Sequence, residues 1–226
     1  MPATTLKSKS KPIRILVVDD HALVRLGLSQ LISYEPDMEV CGDACDTTEA
    51  LQKVKTLQPH LVILDISLQR GNGIELTKTL KARHPDVKVL ISSMHDESLF
   101  AERALCAGAV GYINKQEATE KVVEAIRQVL DGQIYLSTEM TSHLLHRLGN
   151  HREKRLERTS VELLSDRECE VFELIGRGIP TRAIAKQLHL SVKTIETHRE
   201  HIKEKLGLAN GTELTRHAVQ WVLENN

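Results

Sequence analysis

Residues 61–65 read Leu61-Val62-Ile63-Leu64-Asp65, four apolar residues closed by an acid. A strand apolar on both faces belongs in a parallel sheet covered by helices on either side. Working outward, similar short runs recur at Ile13–Val18, Met38–Cys41, Val87–Ser92 and Val110–Ile113. Helical spacing fills the gaps, as in Val24, Leu28 and Leu31, and again in Val122, Ile126, Val129 and Leu130. Pro59 and Pro85 punctuate the entries to the third and fourth strands. The expected fold is α/β, a doubly wound five-stranded parallel sheet, with its ligand site at the carboxyl ends of the strands.

The alternation stops after Leu136. Ser137 to Leu148 can form one more helix, and Gly149 to Ser160 is a polar stretch dominated by HREKRLER, read as a solvated linker. From Leu164 every pattern is helical. Ser165 and Glu168 form a capping box, with Val171, Leu174 and Ile175 as the inner face of the helix they start. A short helix follows Pro180. After a turn at His189–Leu190, Ser191 caps a longer helix with Ile195, His198, Ile202 and Leu206 inward, ended by Gly207. A last helix presents Leu214, Ala218, Trp221 and Val222 on one side. The second unit is therefore a small all-α four-helix domain containing a helix-turn-helix. The boundaries read as 13–131, a linker over 132–160, and 161–226.

Composition narrows the class. Hydrophobic residues at 41% and charged residues at 27% suit a globular protein. No apolar run approaches the roughly 18 residues of a membrane-spanning helix, so no membrane partner is expected. Met1 to Lys11 carries three lysines without an apolar stretch, a disordered basic lead-in rather than a secretory signal. The expected compartment is cytoplasmic. Cys41, Cys45, Cys106 and Cys169 lack metal-ligand spacing and read as reduced core or near-core thiols.

The strand ends carry the chemistry. Asp19 and Asp20 close the first strand and Asp65 the third, so in a parallel sheet three carboxylates converge on one edge. Like charges that close repel unless a cation sits among them, and an open carboxylate cluster suits Mg²⁺. A metal beside a free carboxylate is an arrangement for accepting a phosphoryl group. Ser93 ends the fourth strand with a hydroxyl donor, and Lys115 follows the fifth with a positive charge. Singly, each such residue is commonly a cap or turn. The four strand ends together make a site.

In this order, VVDD at 17–20, LVILD at 61–65, the Ser93-Met94-His95 step and GYINK at 111–115 resemble a response-regulator receiver domain, over about residues 13–131. That resemblance implies a flavodoxin-like fold with Asp65 as phosphoacceptor. It implies Mg²⁺ held by Asp20, Asp65 and the backbone carbonyl of Ser67, with Asp19 acting through water. Ser93 and Lys115 would read the phosphoryl group, and Tyr112 matches the family's switch aromatic, which turns inward as the hydroxyl residue moves. Leu68-Gln69 stand where the family commonly has Met-Pro, which frees the adjoining loop. Asn114 and Gln116 flank Lys115 where apolar and acidic or proline residues are usual.

Residues 164–208 resemble the LuxR/NarL-type DNA-binding domain, and its pairing with a receiver is the architecture of the NarL/FixJ family. Segment 161–174 holds one basic and five acidic residues, net −4, and should face away from DNA. Segment 177–205 holds seven basic and three acidic, net +4, and should face it. Thr181 and Arg182 start the first helix of the motif, where backbone N–H groups favour phosphate. Lys193, Thr194, Glu196, Thr197, Arg199, Glu200 and Lys203 lie outside the inward stripe of the second. Glu196 and Thr197 are the candidates for base edges, and Lys193, Thr194 and Arg199 for phosphates. A solvated face of paired charges is the plainer reading of the glutamates. Asn210-Gly211 replaces a basic residue the family often has there.

The whole chain reads as a transcription regulator switched by phosphorylation, with double-stranded DNA, a histidine kinase and a second copy of itself as partners. A haloacid-dehalogenase-type phosphatase would need a second acid where Ser67 stands. A flavodoxin-like cofactor binder would set its phosphate against the acid pair. The remaining rival is a DNA-binding regulator controlled by protein binding with phosphorylation unused.

Overall fold

The computed structural model describes residues 11–95, 97–149 and 160–225. Five strands, β1 (Ile13–Val18), β2 (Met38–Ala44), β3 (Leu61–Leu64), β4 (Lys88–Ser93) and β5 (Gly111–Asn114), lie parallel in the order β2-β1-β3-β4-β5. Between them run α1 (Ala22–Ser33), α2 (Thr47–Leu57), α3 (Gly73–Arg83) and α4 (Glu97–Ala107), and α5 (Lys115–Leu130) follows. The strand period of two sorts the core. Ile15, Val17, Ile63 and Leu90 pack beneath α1 and α5, while Leu16, Val18, Leu64 and Ile91 pack beneath α2, α3 and α4.

β1 and β3 have the expected bounds, and β4 and β5 each start one residue later than expected. β2 runs on past Cys41 to Ala44. The extra length is absorbed by a register shift, Ile15 pairing with Val40 and Leu16 with Gly42, which leaves Cys41 in a bulge.

After α5 the chain turns at Gly132 (φ +86°) and returns along β5: Tyr112 N–H donates to Tyr135 O at 2.8 Å, and Tyr135 N–H to Val110 O at 3.2 Å. The segment read as linker thus begins as a strand-like cover on the sheet edge. α6 (Thr138–Gly149) then packs against α4. The lead-in over 1–10 and most of the basic stretch, 150–159, lie outside the described residues.

A short 3-10 helix (Ser160–Leu163) precedes α7 (Asp166–Gly176), α8 (Thr181–Gln187), α9 (Val192–Leu206) and α10 (Gly211–Asn225). The capping box at Ser165 is complete, and Ser191 accepts from Thr194 N–H to start α9. Gly207 ends α9 in the left-handed region, φ +66°. Phe172, Ile184, Ile195, Ile202 and Leu214 form the centre of this unit.

Candidate functional site

The sheet brings the predicted strand-end residues to one edge. Asp19, Asp20, His21 and Asp65 present ligand atoms that all lie within 4.8 Å of one another. Lys115 reaches into the cluster from the end of β5, its Nζ 2.7 Å from both Asp19 Oδ2 and Asp65 Oδ2. Arg25 donates to the Asp19 carbonyl at 2.7 Å and fixes the strand end from below. α3 approaches so closely that a Cβ on Gly73 would stand 2.1 Å from the Asp65 carbonyl oxygen. Only glycine fits there, and its N–H closes the loop by donating to Ile66 O at 2.8 Å.

Asp65 is 3% exposed. Burial pushes its carboxyl up to about 6, with Lys115 pulling it down and Asp19 adding to the rise. Burial also opposes the charge of Lys115, but the Asp65 and Asp19 carboxylates outweigh it and hold the ammonium above its ordinary value. Asp20 Oδ1 is buried and accepts no aligned hydrogen bond, although the His21 imidazole lies 2.6 Å from it. An orphaned carboxylate oxygen facing two further acids is a donor set that fits a hard divalent cation.

Ser93 is fully buried and its Oγ accepts from His95 N–H at 3.2 Å. Tyr112, 1% exposed, lies inward: its hydroxyl donates to the His95 carbonyl at 2.8 Å. Leu68 is buried in the core and Gln69 exposed. Without proline, the loop is held by Thr47, whose Oγ1 donates to Arg70 O at 3.0 Å, and by Asn72, which caps α3.

The other predicted face also forms. On α9, Lys193, Glu196, Thr197 and Glu200 are exposed, while Thr194, Arg199 and Lys203 are half-buried. Arg182 is exposed on α8, with Thr181 half-buried beside it. Glu196 pairs with Arg199 at 3.5 Å and Glu200 with Lys203 at 2.8 Å, each one helical turn apart. His198 is half-buried and packs inward, as its place on the stripe requires. Of the cysteines, Cys169 is buried and Cys41 and Cys45 are intermediate, but Cys106 is exposed because it falls on the outer side of α4.

Both units match known families. The response regulator receiver domain matches residues 15–127, and the luxR family of bacterial regulatory proteins matches residues 162–218. The oxygen regulatory protein NreC of Staphylococcus carnosus is 37% identical over 211 residues, covering 92% of this chain and 97% of that protein. The chain is a LuxR-type response regulator. Its structure resembles the response regulator RcsB of Salmonella enterica serovar Typhimurium bound to the rprA promoter with a phosphomimetic. There the TM-score is 0.61 at 25% identity, over 92% of this chain and 99% of that one. A LuxR-family response regulator from Aurantimonas is 32% identical, with a TM-score of 0.57 over 62% of this chain and 99% of that one. As a response regulator carrying both domains, this protein is a phosphorylation-dependent, DNA-binding transcription regulator of a two-component system. Its partners are DNA and a histidine-kinase phosphodonor. Among the described residues no helix is long and apolar enough to cross a membrane.

The response regulator also holds a contact that sequence reasoning missed. The acidic helix α7, expected to face away from DNA, faces the receiver. Arg103 of α4 donates to Leu164 O at 2.9 Å and reaches Asp166 at 3.2 Å, and Lys78 of α3 reaches Asp166 at 3.1 Å. Asn72 donates to Glu170, His95 Nδ1 lies 2.5 Å from Glu173 Oε2, and His189 lies 3.1 Å from Asp20. The one signal available was the density of acids along α7: Asp166, Glu168, Glu170 and Glu173.

Proposed function

We propose that Asp65 is the phosphoacceptor, and the observation that carries this is the pairing of its buried carboxylate with Lys115 at 2.7 Å inside the acid cluster. A carboxylate oxygen forms the new O–P bond as the bond from phosphorus to the donor imidazole nitrogen breaks, the nitrogen keeping the electron pair. Lys115 is placed to bind an oxygen of the transferred group, and Ser93 to donate its hydroxyl to another. Asp20, Asp65 and the Ser67 carbonyl would hold Mg²⁺, with Asp19 acting through water, and the ion would supply charge neutralisation there. Tyr112 and Ser93 then pass the change to α4 and to Tyr135 at the start of the linker.

The outer face of α9 is read as the major-groove surface. Lys193, Thr194, Arg199, Thr181 and Arg182 take phosphates, Glu196 and Thr197 take base edges, and Glu200 and Lys203 flank them. RcsB is described as dimers bound to DNA. The same assembly here would place two α9 helices on half-sites about one helical turn, or a multiple, apart. A regulator that binds DNA and belongs to this family is read as acting in the cytoplasm.

The test is incubation with Mg²⁺ and acetyl phosphate, followed by intact mass and DNA binding. The expected result is a phosphate-sized gain that Asp65→Asn abolishes, with tighter binding to duplex DNA. A gain that persists in Asp65→Asn would move the phosphoacceptor elsewhere. No gain at all would leave control to a protein partner.

A further inference from the structure

Glu168 of α7 is 4% exposed, and nothing described above uses its charge. Its Oε2 accepts from Ser165 N–H at 2.7 Å, the return half of the capping box. The same oxygen takes Lys205 Nζ, at the far end of α9, at 2.6 Å. His201 Nδ1 lies 3.8 Å from its Oε1. Burial pushes this carboxyl up, but Lys205 and the Ser165 N–H outweigh it and hold it below its ordinary value. The neighbouring residue, Arg167, donates to Leu188 O at 2.6 Å. Leu188 closes α8, just before Ser191 caps α9. Two consecutive residues of α7 thus grip the chain at the two ends of α9. Between these grips α9 is held by Ile195 and Ile202, both fully buried. Apolar contact of that kind is non-directional, so it keeps α9 on the core without fixing its angle.

We propose that Glu168 is a positioning residue for sequence reading: by holding Lys205 it fixes the angle at which α9 meets the bases. The inference rests on the reading of α9 as the major-groove surface. The 15 residues of α9 span about 22 Å. A swing of about 3° at one end carries the other through about 1 Å, roughly twice what a placed set of side chains tolerates. Base-edge contacts from Glu196 and Thr197 depend on such placement, whereas phosphate contacts from flexible lysines do not. The pair also withholds Lys205 from DNA, because an ammonium committed to a carboxylate neutralises no phosphate. Breaking it therefore acts in opposite directions on two properties. General attraction to DNA rises as Lys205 is freed, while discrimination between sequences falls.

The test uses the full chain and two duplexes of equal length, one recovered by the wild type from a random pool and one unrelated in sequence. Binding is titrated at several salt concentrations. Glu168→Gln keeps the capping box, which glutamine also completes. It leaves no charge buried, since the Lys205 side chain is already 39% exposed and can turn to solvent. This variant should bind the unrelated duplex more tightly, with a salt slope steeper by about one. Its preference for the recovered duplex should fall about fivefold or more, the worth of roughly one base contact. Taking the ratio cancels any fraction of the chain held back from both duplexes alike. Lys205→Gln breaks the grip from the other side. It should lower the preference as much, without the gain on the unrelated duplex. The double variant should lose no more preference than the worse single one, because both remove one contact. Circular dichroism checks folding, and if Glu168→Gln fails to fold, Lys205→Gln carries the comparison. An unchanged preference in both single variants, with Lys193→Ala weakening both duplexes, overturns the grip and leaves the α9 reading standing. Equal losses on both duplexes in Glu168→Gln reduce Glu168 to a structural residue and overturn it too. No effect of Lys193→Ala or Glu196→Gln on either duplex removes the α9 reading and this inference with it.

Discussion

The pocket at Asp65 and the outer face of α9 are both polar surfaces, and the fold treats them in opposite ways. In the pocket, Asp19, Asp65 and Ser93 are 2%, 3% and 0% exposed and Lys115 is fixed between two carboxylates. On α9, Lys193, Glu196, Thr197 and Glu200 lie open, and the charged residues make ion pairs one turn apart. Chemistry at a single phosphorus atom needs groups placed beforehand in a dry site. Recognition of a long polyanion needs side chains that can exchange a weak intrahelical partner for a phosphate or a base, and exposed pairs of this kind contribute little stability. One site stores its order in the fold, and the other acquires it from the ligand.

The largest expected effect therefore follows from removing the pocket's own cation. Lys115→Met leaves Asp19 and Asp65 buried without their shared ammonium. Breaking one side of a buried charge cluster typically costs about 3–5 kcal/mol, and the melting temperature should fall accordingly. Mg²⁺ should restore part of the loss, since it supplies the missing charge, while phosphoryl uptake collapses. A variant as stable as the wild type with no response to Mg²⁺ would mean the pocket is not electrostatically organised.

The wild type offers a gentler version through pH. Burial holds Asp65 at about 6 against an ordinary 3.8. A raised carboxyl pKa contributes stability that is full below the lower value and is lost as pH rises through the upper one. Metal-free protein should lose that contribution between about pH 4 and pH 7. The loss should shrink with Mg²⁺ present. Asp65→Asn should flatten the profile in both conditions.

The pocket's backbone is tested by Gly73→Ala. The added Cβ meets the Asp65 carbonyl at 2.1 Å, and backbone cannot give way as a flexible side chain can. Overpacking of this kind costs roughly 1–3 kcal/mol, and the shift falls on the phosphoacceptor itself. Thermal unfolding and phosphoryl uptake should both report it. The exposed face of α9 is the contrast: there Lys193→Ala should leave the melting temperature almost unchanged.

This contrast also explains how much was legible in the sequence. Asp19, Asp65, Ser93 and Lys115 were readable because each closes or follows a strand, and a parallel sheet brings strand carboxyl ends together whatever the loops do. The bounds of β1 and β3 followed from their apolar runs. β2 outruns its apolar run Met38–Cys41, because the Cys41 bulge lets the pairing continue through Gly42 and Asp43 to Ala44. The contact of α7 with the receiver was not legible. Its pairs join residues such as Asn72 and Glu170, or His95 and Glu173, whose proximity depends on how two domains dock and leaves no local period. Tyr135 on the edge of β5 was hidden for the same reason: one backbone pair after a glycine turn has no sequence signature.

On the DNA face, Arg199→Ala and Lys193→Ala should each weaken duplex binding by a similar factor on all sequences and lower the salt slope by about one. Glu196→Gln should instead change the ranking of sequences, by about 1–3 kcal/mol at the affected position. The contrast is measured by binding titrations on matched and mismatched duplexes at several salt concentrations. A uniform loss for Glu196→Gln would assign that residue to the solvated face that its pair with Arg199 also suits.

The smallest effect belongs to the helix between the two sites. Ser165→Ala removes the side-chain half of the capping box on α7, worth about 1 kcal/mol, while the Glu168 carboxylate still accepts from residue 165 N–H. Asp166, which Lys78 and Arg103 hold, lies one residue further on. If docking braces the start of α7, those two receiver contacts offset part of the lost cap in the full chain. Removing the Arg103 contact with Arg103→Ala should then expose part of the remainder, so that the two substitutions together cost more than their separate effects combined. Simple additivity in chemical denaturation would mean that the cap stands alone and that α7 reaches the receiver already formed.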